Sequence, residues 1–161
     1  MILGSLAFIH KKHVSHPVRQ STPFVSVIIA AYNEEKVIGR TIESILKSDY
    51  PNLEVIVVDD GSKDQTSLVV SREYEANKKV LLFNKMNEGK ASAINLGVRK
   101  ANGDILVAID ADTIVPPDSI SMLIRHFSDE NIAAVSGNVR VGNRKNLLTA
   151  WQHIEYVTGF N

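Results

Sequence analysis

The 161-residue chain contains no cysteine, which excludes disulfides, thiolate metal ligands and cysteine nucleophiles. That absence is compatible with both oxidising and reducing compartments. The formal net charge is zero, so no basic field is available to attract nucleic acid, and no nucleic-acid partner is expected. No stretch reaches the roughly 18 apolar residues that a membrane-spanning helix needs. The composition, which is 44% hydrophobic and 22% charged, is that of an ordinary globular protein of about one domain.

The first 23 residues differ in pattern from the rest. An apolar run over residues 1–9 precedes a basic flank that begins at His10. A signal peptide places its positive charge before the apolar run, so this order favours the last turns of a membrane helix that meets a positive cytoplasmic flank. A disordered start is the alternative. Residues 10–23 show no apolar period, and 1–23 is therefore predicted to be a linker or juxtamembrane segment.

From Phe24 onward, short β-branched runs alternate with segments of helical periodicity. Strands are predicted at 24–31, 53–58, 80–83, 105–109 and 133–141, and helices at about 37–46, 65–76, 90–100 and 117–127. In the third helix, Ala93, Ile94 and Val98 are expected to face inward. This alternation predicts an α/β domain over residues 24–161, with a mostly parallel sheet and helices on both faces. Ligands of such sheets bind beyond the carboxyl ends of the strands.

Polar residues follow three of the predicted strands: residues 32–34 after the first, Asp59 and Asp60 after the second, and Asp110-Ala111-Asp112 after the fourth. An Asp-x-Asp pair alone is weak evidence, but this one emerges at the end of a buried strand. Carboxylate oxygens suit Mg²⁺ or Mn²⁺, and such an ion neutralises a diphosphate leaving group. The alternative is a loop in which both side chains accept hydrogen bonds from nearby backbone amides.

Two further features each permit two interpretations. Asp60 has the acceptor atoms to bind a base N–H, but the same segment suits a helix-entry turn, with Gly61 in the turn and Ser62 or Asp64 as the cap. Lys90 begins a helix, where a cation is disfavoured unless it has an anionic partner. A phosphate is one such partner. A solvated lysine is the alternative.

Taken together, these motifs resemble family 2 of the inverting glycosyltransferases, which have the GT-A fold. The resemblance rests on residues 25–35 (VSVIIAAYNEE), 57–62 (VVDDGS), 87–95 (NEGKASAIN) and 110–112 (DAD). It extends over residues 24–161. Residues 137–144 (GNVRVGNR), with Trp151 and Gln152, are similar to processive synthases of poly-β-1,6-N-acetylglucosamine and of chitin oligosaccharides.

The resemblance implies a nucleotide-binding set at the strand ends: Ala30, Tyr32, Glu34, Asp59, Asp60, Lys90, Asp110 and Ala111. The first three would border the uridine. Asp60 would accept the uracil N–H, and Lys90 would lie near the uracil or the diphosphate. Asp110 would address the ribose or the donor sugar. Asp112, together with Asp110, would hold Mg²⁺ or Mn²⁺ on the diphosphate.

The chain departs from the family pattern in one respect. The later acidic motif that carries the catalytic base, and the acceptor-binding Gln-x-x-Arg-Trp motif, do not occur in it. We therefore expect a truncated GT-A domain with its base beyond Asn161 and no turnover by itself. The resemblance implies a membrane enzyme with this domain in the cytoplasm. That enzyme would transfer a sugar, N-acetylglucosamine in this branch, from a UDP-sugar to a growing polysaccharide with inversion.

Two other functions compete with this one. A phospho-acceptor signalling domain also gathers acidic residues around Mg²⁺, but its acidic pair follows the first strand and a lone aspartate follows the third. Here the pair follows the second strand and Asp-x-Asp the fourth. A non-catalytic module that binds a nucleotide sugar is the other alternative.

Overall fold

The computed structural model describes residues 6–11, 22–129 and 132–137. The elements are β1 (Leu6–Lys11), β2 (Val25–Ala31), α1 (Ile38–Leu46), β3 (Leu53–Asp59), α2 (Thr66–Tyr74), β4 (Val80–Asn84), α3 (Lys90–Lys100), β5 (Ile105–Asp110), α4 (Ser119–Arg125) and a 3-10 turn (His126–Ser128). Every strand and helix predicted between residues 24 and 127 is present, with bounds within two residues of those predicted.

The sheet has the strand order β1-β5-β2-β3-β4. Strands β5, β2, β3 and β4 are parallel, and β1 is antiparallel to β5. The chain runs outward from β2 through β3 to β4 and then crosses to the other side of β2 to form β5. Strand order therefore reverses between β2 and β5, and the crevice beyond their carboxyl ends is the usual ligand position of such sheets.

Helices cover both faces of the sheet, as predicted. On one face, alternate residues of the strands form one core cluster with α1, α2 and α4, for example Val27, Val57 and Ile42. On the other face, Ile56 and Val58 pack with Ala93 of α3. Coverage on both sides explains why β2 and β3 are apolar and buried along nearly their whole length.

The inward face of α3 differs in part from the prediction. Ala93 is buried as expected, but Val98 is 43% exposed and Ile94 only partly buried. The buried partner of Ala93 is Gly97, where an added Cβ would lie 2.4 Å from Cγ2 of Ile28. The expectation for Val98 was wrong because the helix approaches the sheet through its small residues, which turns the larger side chains outward.

The N-terminal segment also differs from the prediction. Leu6–Lys11 is a β-strand, which is neither the end of a membrane helix nor a disordered start. It pairs with the outer edge of β5, for example Lys11 with Ile105. A short apolar run does not distinguish helix from strand by itself. Here the run forms a strand because the outer edge of β5 offers unpaired backbone groups. Among the described residues, no helix has the length and apolar content to cross a membrane.

The predicted fifth strand at 133–141 is not observed where the structure describes that segment. Residues 132–137 contain no strand, although Ile132 and Val135 pack against the core. β1 already occupies the outer edge of β5, so a parallel strand after α4 has no partner there. Residues 138–141 lie outside the described residues, as do most of 137–144 and both Trp151 and Gln152.

Candidate functional site

The carboxyl ends of β2, β3 and β5 bring most of the predicted site residues to one edge of the sheet. In the parallel ladders, Ala30 of β2 lies between Val58 of β3 and Asp110 of β5. Tyr32 follows β2 and is 42% exposed. The prediction that the polar residues after these strands converge is therefore confirmed in its geometry.

The Asp60 carboxylate is buried and anchors the segment that leads into α3. Its Oδ1 accepts hydrogen bonds from Lys85 Nζ at 2.7 Å and from the Glu88 amide at 3.1 Å, and its Oδ2 accepts one from the Gly89 amide at 2.8 Å. Burial by itself would raise the pKa of Asp60, but these hydrogen bonds outweigh it and hold the pKa below its usual value. Asp60 is therefore ionised at neutral pH.

Lys85 is a member of this cluster that the sequence reasoning missed. It follows β4, and the β3–β4 register pairs Asp59 with Asn84, which brings the next residues, Asp60 and Lys85, side by side. Its ammonium also contacts Glu88 at 3.1 Å, and these hydrogen bonds raise the pKa of Lys85 even though burial by itself would lower it. A lysine one residue beyond the neighbouring strand was the available signal.

Asp59 has a turn-forming contact. Its Oδ1 accepts the Ser62 amide hydrogen bond at 2.8 Å, and Gly61 between them has φ of +73°. At the start of α2, Asp64 Oδ1 accepts a hydrogen bond from the Thr66 amide at 2.9 Å. The helix-entry interpretation therefore describes Asp59 and Asp64, whereas Asp60 faces the α3 side.

The loop after β2 is joined to the loop after β3 by reciprocal hydrogen bonds. Backbone amides in 33–35 donate to the side chains of Ser62, Thr66 and Asp64 at 2.8–3.1 Å. In return, the Lys63 and Gln65 amides donate to Asn33 and Glu35 side chains. The two loops thus form one unit beside the crevice at the carboxyl ends of β2 and β5.

The Asp-x-Asp segment is held by α1. The buried Thr41 hydroxyl donates to the Ala111 carbonyl at 2.7 Å, and Ser44 Oγ accepts the Val115 amide hydrogen bond at 3.0 Å. Sequence reasoning missed both hydroxyls. Their signal is a polar pair spaced by three on a helix face that is otherwise apolar.

The side chain of Asp110 forms an ion pair with Lys90, the first residue of α3. This contact differs from the backbone-bonded alternative for Asp110, and it gives Lys90 an anionic partner at the start of α3. The Lys90 side chain is 60% exposed and that of Asp110 is 21% exposed, so the pair lies at the surface of the crevice.

Negative charge is concentrated beside this pair. The pKa of Glu34 is raised, first by burial and then by the charges of Asp112, Asp64 and Asp110. The described part of the chain contains no group of three or more His, Asp or Glu side chains arranged to hold a metal ion. Asp110 and Asp112 nevertheless provide the one or two carboxylates through which Mg²⁺ is commonly bound alongside substrate phosphates.

The chain is similar to synthases of an N-acetylglucosamine polymer. The chain is 31% identical over an alignment of 165 residues to poly-β-1,6-N-acetyl-D-glucosamine synthase of Staphylococcus aureus, an alignment that covers 98% of this chain and 40% of the relative. The Staphylococcus epidermidis enzyme of that name is 33% identical over 141 residues, covering 86% and 34%. The chain thus spans well under half the length of these relatives.

Solved structures show the same fold. The mannosyltransferase PcManGT of Pyrobaculum calidifontis, in complex with GDP-Man and Mn²⁺, matches with a TM-score of 0.64 and 34% identity, over 76% of this chain and 37% of that one. Residues 1–349 of S. aureus TarS with UDP-GlcNAc match at 0.59 and 31% identity, over 66% and 31%. The GT-A expectation is confirmed.

The position of the acidic residues already argued against a phospho-acceptor domain, and the comparisons decide the matter. Residues 26–160 match the family profile described as Glycosyl transferase family 2. The resemblance inferred from the motifs is thereby confirmed. The chain belongs to glycosyl transferase family 2.

Proposed function

We propose that this chain is the donor-binding portion of a glycosyltransferase and binds a UDP-sugar in the crevice between β2 and β5. The observation that carries the proposal is the Asp-x-Asp segment at the end of β5, which α1 holds beside the end of β2. Support comes from the relatives, which are named as N-acetylglucosamine polymer synthases or contain UDP-GlcNAc.

The base-binding part of the proposal rests on Asp60. A carboxylate offers about four lone-pair positions, and three are used by Lys85 and the two backbone amides, which leaves one on Oδ2. In the proposed complex this position accepts the uracil N–H. Ala30, Tyr32 and Glu34 border the uridine, while Asp59 maintains the turn beside it.

The diphosphate part of the proposal rests on Asp110 and Asp112. Their oxygens are hard ligands that suit Mg²⁺ or Mn²⁺, and the diphosphate and water complete the coordination. When bound, the ion neutralises charge on the UDP leaving group. Asp110 also addresses the ribose or the donor sugar, Ala111 adjoins the nucleotide, and Lys90 lies beside the diphosphate.

The remaining steps belong to the whole protein. In this proposal the sugar is N-acetylglucosamine and the acceptor is a growing polysaccharide. Displacement at the anomeric carbon inverts its configuration. The full-length enzyme is at the cell membrane with this domain in the cytoplasm. A non-catalytic module would bind the same donor without transfer, so transfer by the longer protein separates the two.

Calorimetric titration of UDP with and without Mn²⁺ tests the proposal. We expect binding that requires Mn²⁺ and weakens by roughly tenfold or more in Asp112→Ala, the scale of losing a metal-site interaction. Asp118→Ala is the control, because that exposed side chain makes no capping hydrogen bond to α4. Binding that ignores Mn²⁺, or no binding at all, would show the proposal to be wrong.

A further inference from the structure

We propose that Lys90 is a counter-ion that stays paired with Asp110 until a nucleoside diphosphate binds the Lys90 ammonium. Metal binding at Asp110 therefore depends on the donor. The inference rests on the proposed function and deepens it. In this exchange, the Lys90 ammonium moves from the Asp110 carboxylate to a donor phosphate. The Asp110 carboxylate then binds the metal ion.

The ion pair crosses the proposed donor site. Gly89 is held to Asp60, which directly follows β3, and Lys90 is the next residue. Asp110 is the last residue of β5. Because α3 packs against β2 and Asp110 pairs with Ala30 of β2, the Lys90–Asp110 pair lies beside the carboxyl end of β2. A donor diphosphate that enters this crevice meets the pair directly.

Charge explains why the exchange is favourable only with both ligands present. Lys90 begins α3, where the helix dipole disfavours a cation without an anionic partner. A metal ion that binds without the nucleotide displaces the Lys90 ammonium from Asp110 and leaves the ammonium without an anionic partner. A diphosphate supplies the replacement anion, and a helix N-terminus itself favours phosphate.

The neighbouring carboxylates reinforce this coupling. Burial and the charges of Asp112, Asp64 and Asp110 raise the pKa of Glu34, so these groups interact electrostatically. Once Lys90 leaves Asp110, its ammonium no longer neutralises the negative charge of these carboxylates, and they attract a divalent cation more strongly. By linkage, the factor by which the donor tightens metal binding equals the factor by which the metal tightens donor binding.

The first measurement is Mn²⁺ binding without nucleotide. It is monitored by NMR line broadening of the Asp110 and Asp112 amide signals, because this method detects weak binding. Lys90→Met should bind Mn²⁺ alone roughly 2- to 5-fold more tightly than the parent chain, the scale of a surface ion pair. It should also show a smaller tightening of Mn²⁺ binding on addition of UDP. Lys47→Met is the matched control, because it removes an exposed lysine paired with Glu43 on α1.

A second variant separates this pair from the general loss of positive charge. Asp110→Asn should itself weaken Mn²⁺ binding, and in that background Lys90→Met should give no tightening, since the two changes act on one contact. Unchanged or weaker Mn²⁺ binding in Lys90→Met, or tightening that persists in the Asp110→Asn background, would overturn the inference. UDP and Mn²⁺ binding to the parent chain would still stand in that case. Its loss is the separate failure of the proposed function.

Discussion

Asp60 shows how neighbours assign a role to one carboxylate. Asp59 and Asp60 are adjacent in sequence and both are buried. Asp59 closes a turn through the Ser62 amide, whereas Asp60 receives Lys85 and two amides at the start of α3. The same type of side chain therefore closes a turn at Asp59 and, at Asp60, positions the segment that leads into α3.

Asp60→Asn should destabilise the chain by about 2–3 kcal/mol at neutral pH, because it removes charged hydrogen bonds and leaves Lys85 without its carboxylate partner. The folded-state pKa of Asp60 is lowered, so its stabilisation is present above the unfolded value near 3.9 and is lost as pH falls through the lower folded value. Thermal melts between pH 3 and 7 should therefore show the gap between parent and variant closing below about pH 4.

The control for this series is Asp118→Asn, at an exposed aspartate that makes no side-chain capping bond. It should melt like the parent chain at each pH. A gap between parent and Asp60→Asn that stays constant down to pH 3 would contradict the assignment of the pKa shift to Asp60.

At the scale of elements, α1 connects the core to the site. Its apolar residues Ile38, Ile42 and Ile45 are fully buried, and Thr41 on the same face contacts the Asp-x-Asp segment. One helix therefore both packs against the sheet and positions the loop after β5. Damage to the loop contact should affect stability and ligand binding together.

Thr41→Val keeps the shape of the side chain but removes the hydroxyl that donates to the Ala111 carbonyl. Since that leaves a buried acceptor unsatisfied, we expect a loss of about 1–3 kcal/mol in the free energy of unfolding. UDP binding with Mn²⁺ should also weaken. Chemical denaturation and calorimetry provide the measurements. Ser71→Ala, which removes an exposed hydroxyl bonded within α2, should change neither quantity.

At the scale of the whole molecule, strand order places the site and strand edges set the limits of the sheet. The reversal between β2 and β5 creates the crevice, and β1 covers the edge of β5 beside it. An uncovered strand edge presents unpaired backbone groups that invite association. The N-terminal strand β1 therefore covers the outer edge of β5.

Deleting residues 1–11 should lower the melting temperature and cause concentration-dependent association, because it uncovers β5 along the ladder that ends at Lys11 and Ile105. Light scattering coupled to gel filtration measures the association. Deleting only residues 1–5 keeps β1 and serves as the control. A fully monomeric, equally stable 1–11 deletion would show that β1 does not protect this edge.

Much of the fold was predictable because the relevant patterns are local. The apolar run before Asp110 and the stripe of Ile38, Ile42 and Ile45 each mark an element within one segment. The Asp-x-Asp position followed from the strand it terminates. The inward face of α3 was less predictable, because it depends on how closely Gly97 lets the helix approach Ile28.

By itself, the sequence determined the alternation of strands and helices, the family, and the acidic residues at the carboxyl ends of β3 and β5. Only the tertiary structure decided that Leu6–Lys11 joins the sheet, that Lys85 binds Asp60, and that Lys90 binds Asp110. The physical reason is range. A hydrophobic periodicity is visible within one segment of the sequence. The partner of a strand edge or of a lysine instead depends on the strand order, which brings residues that are distant in sequence together.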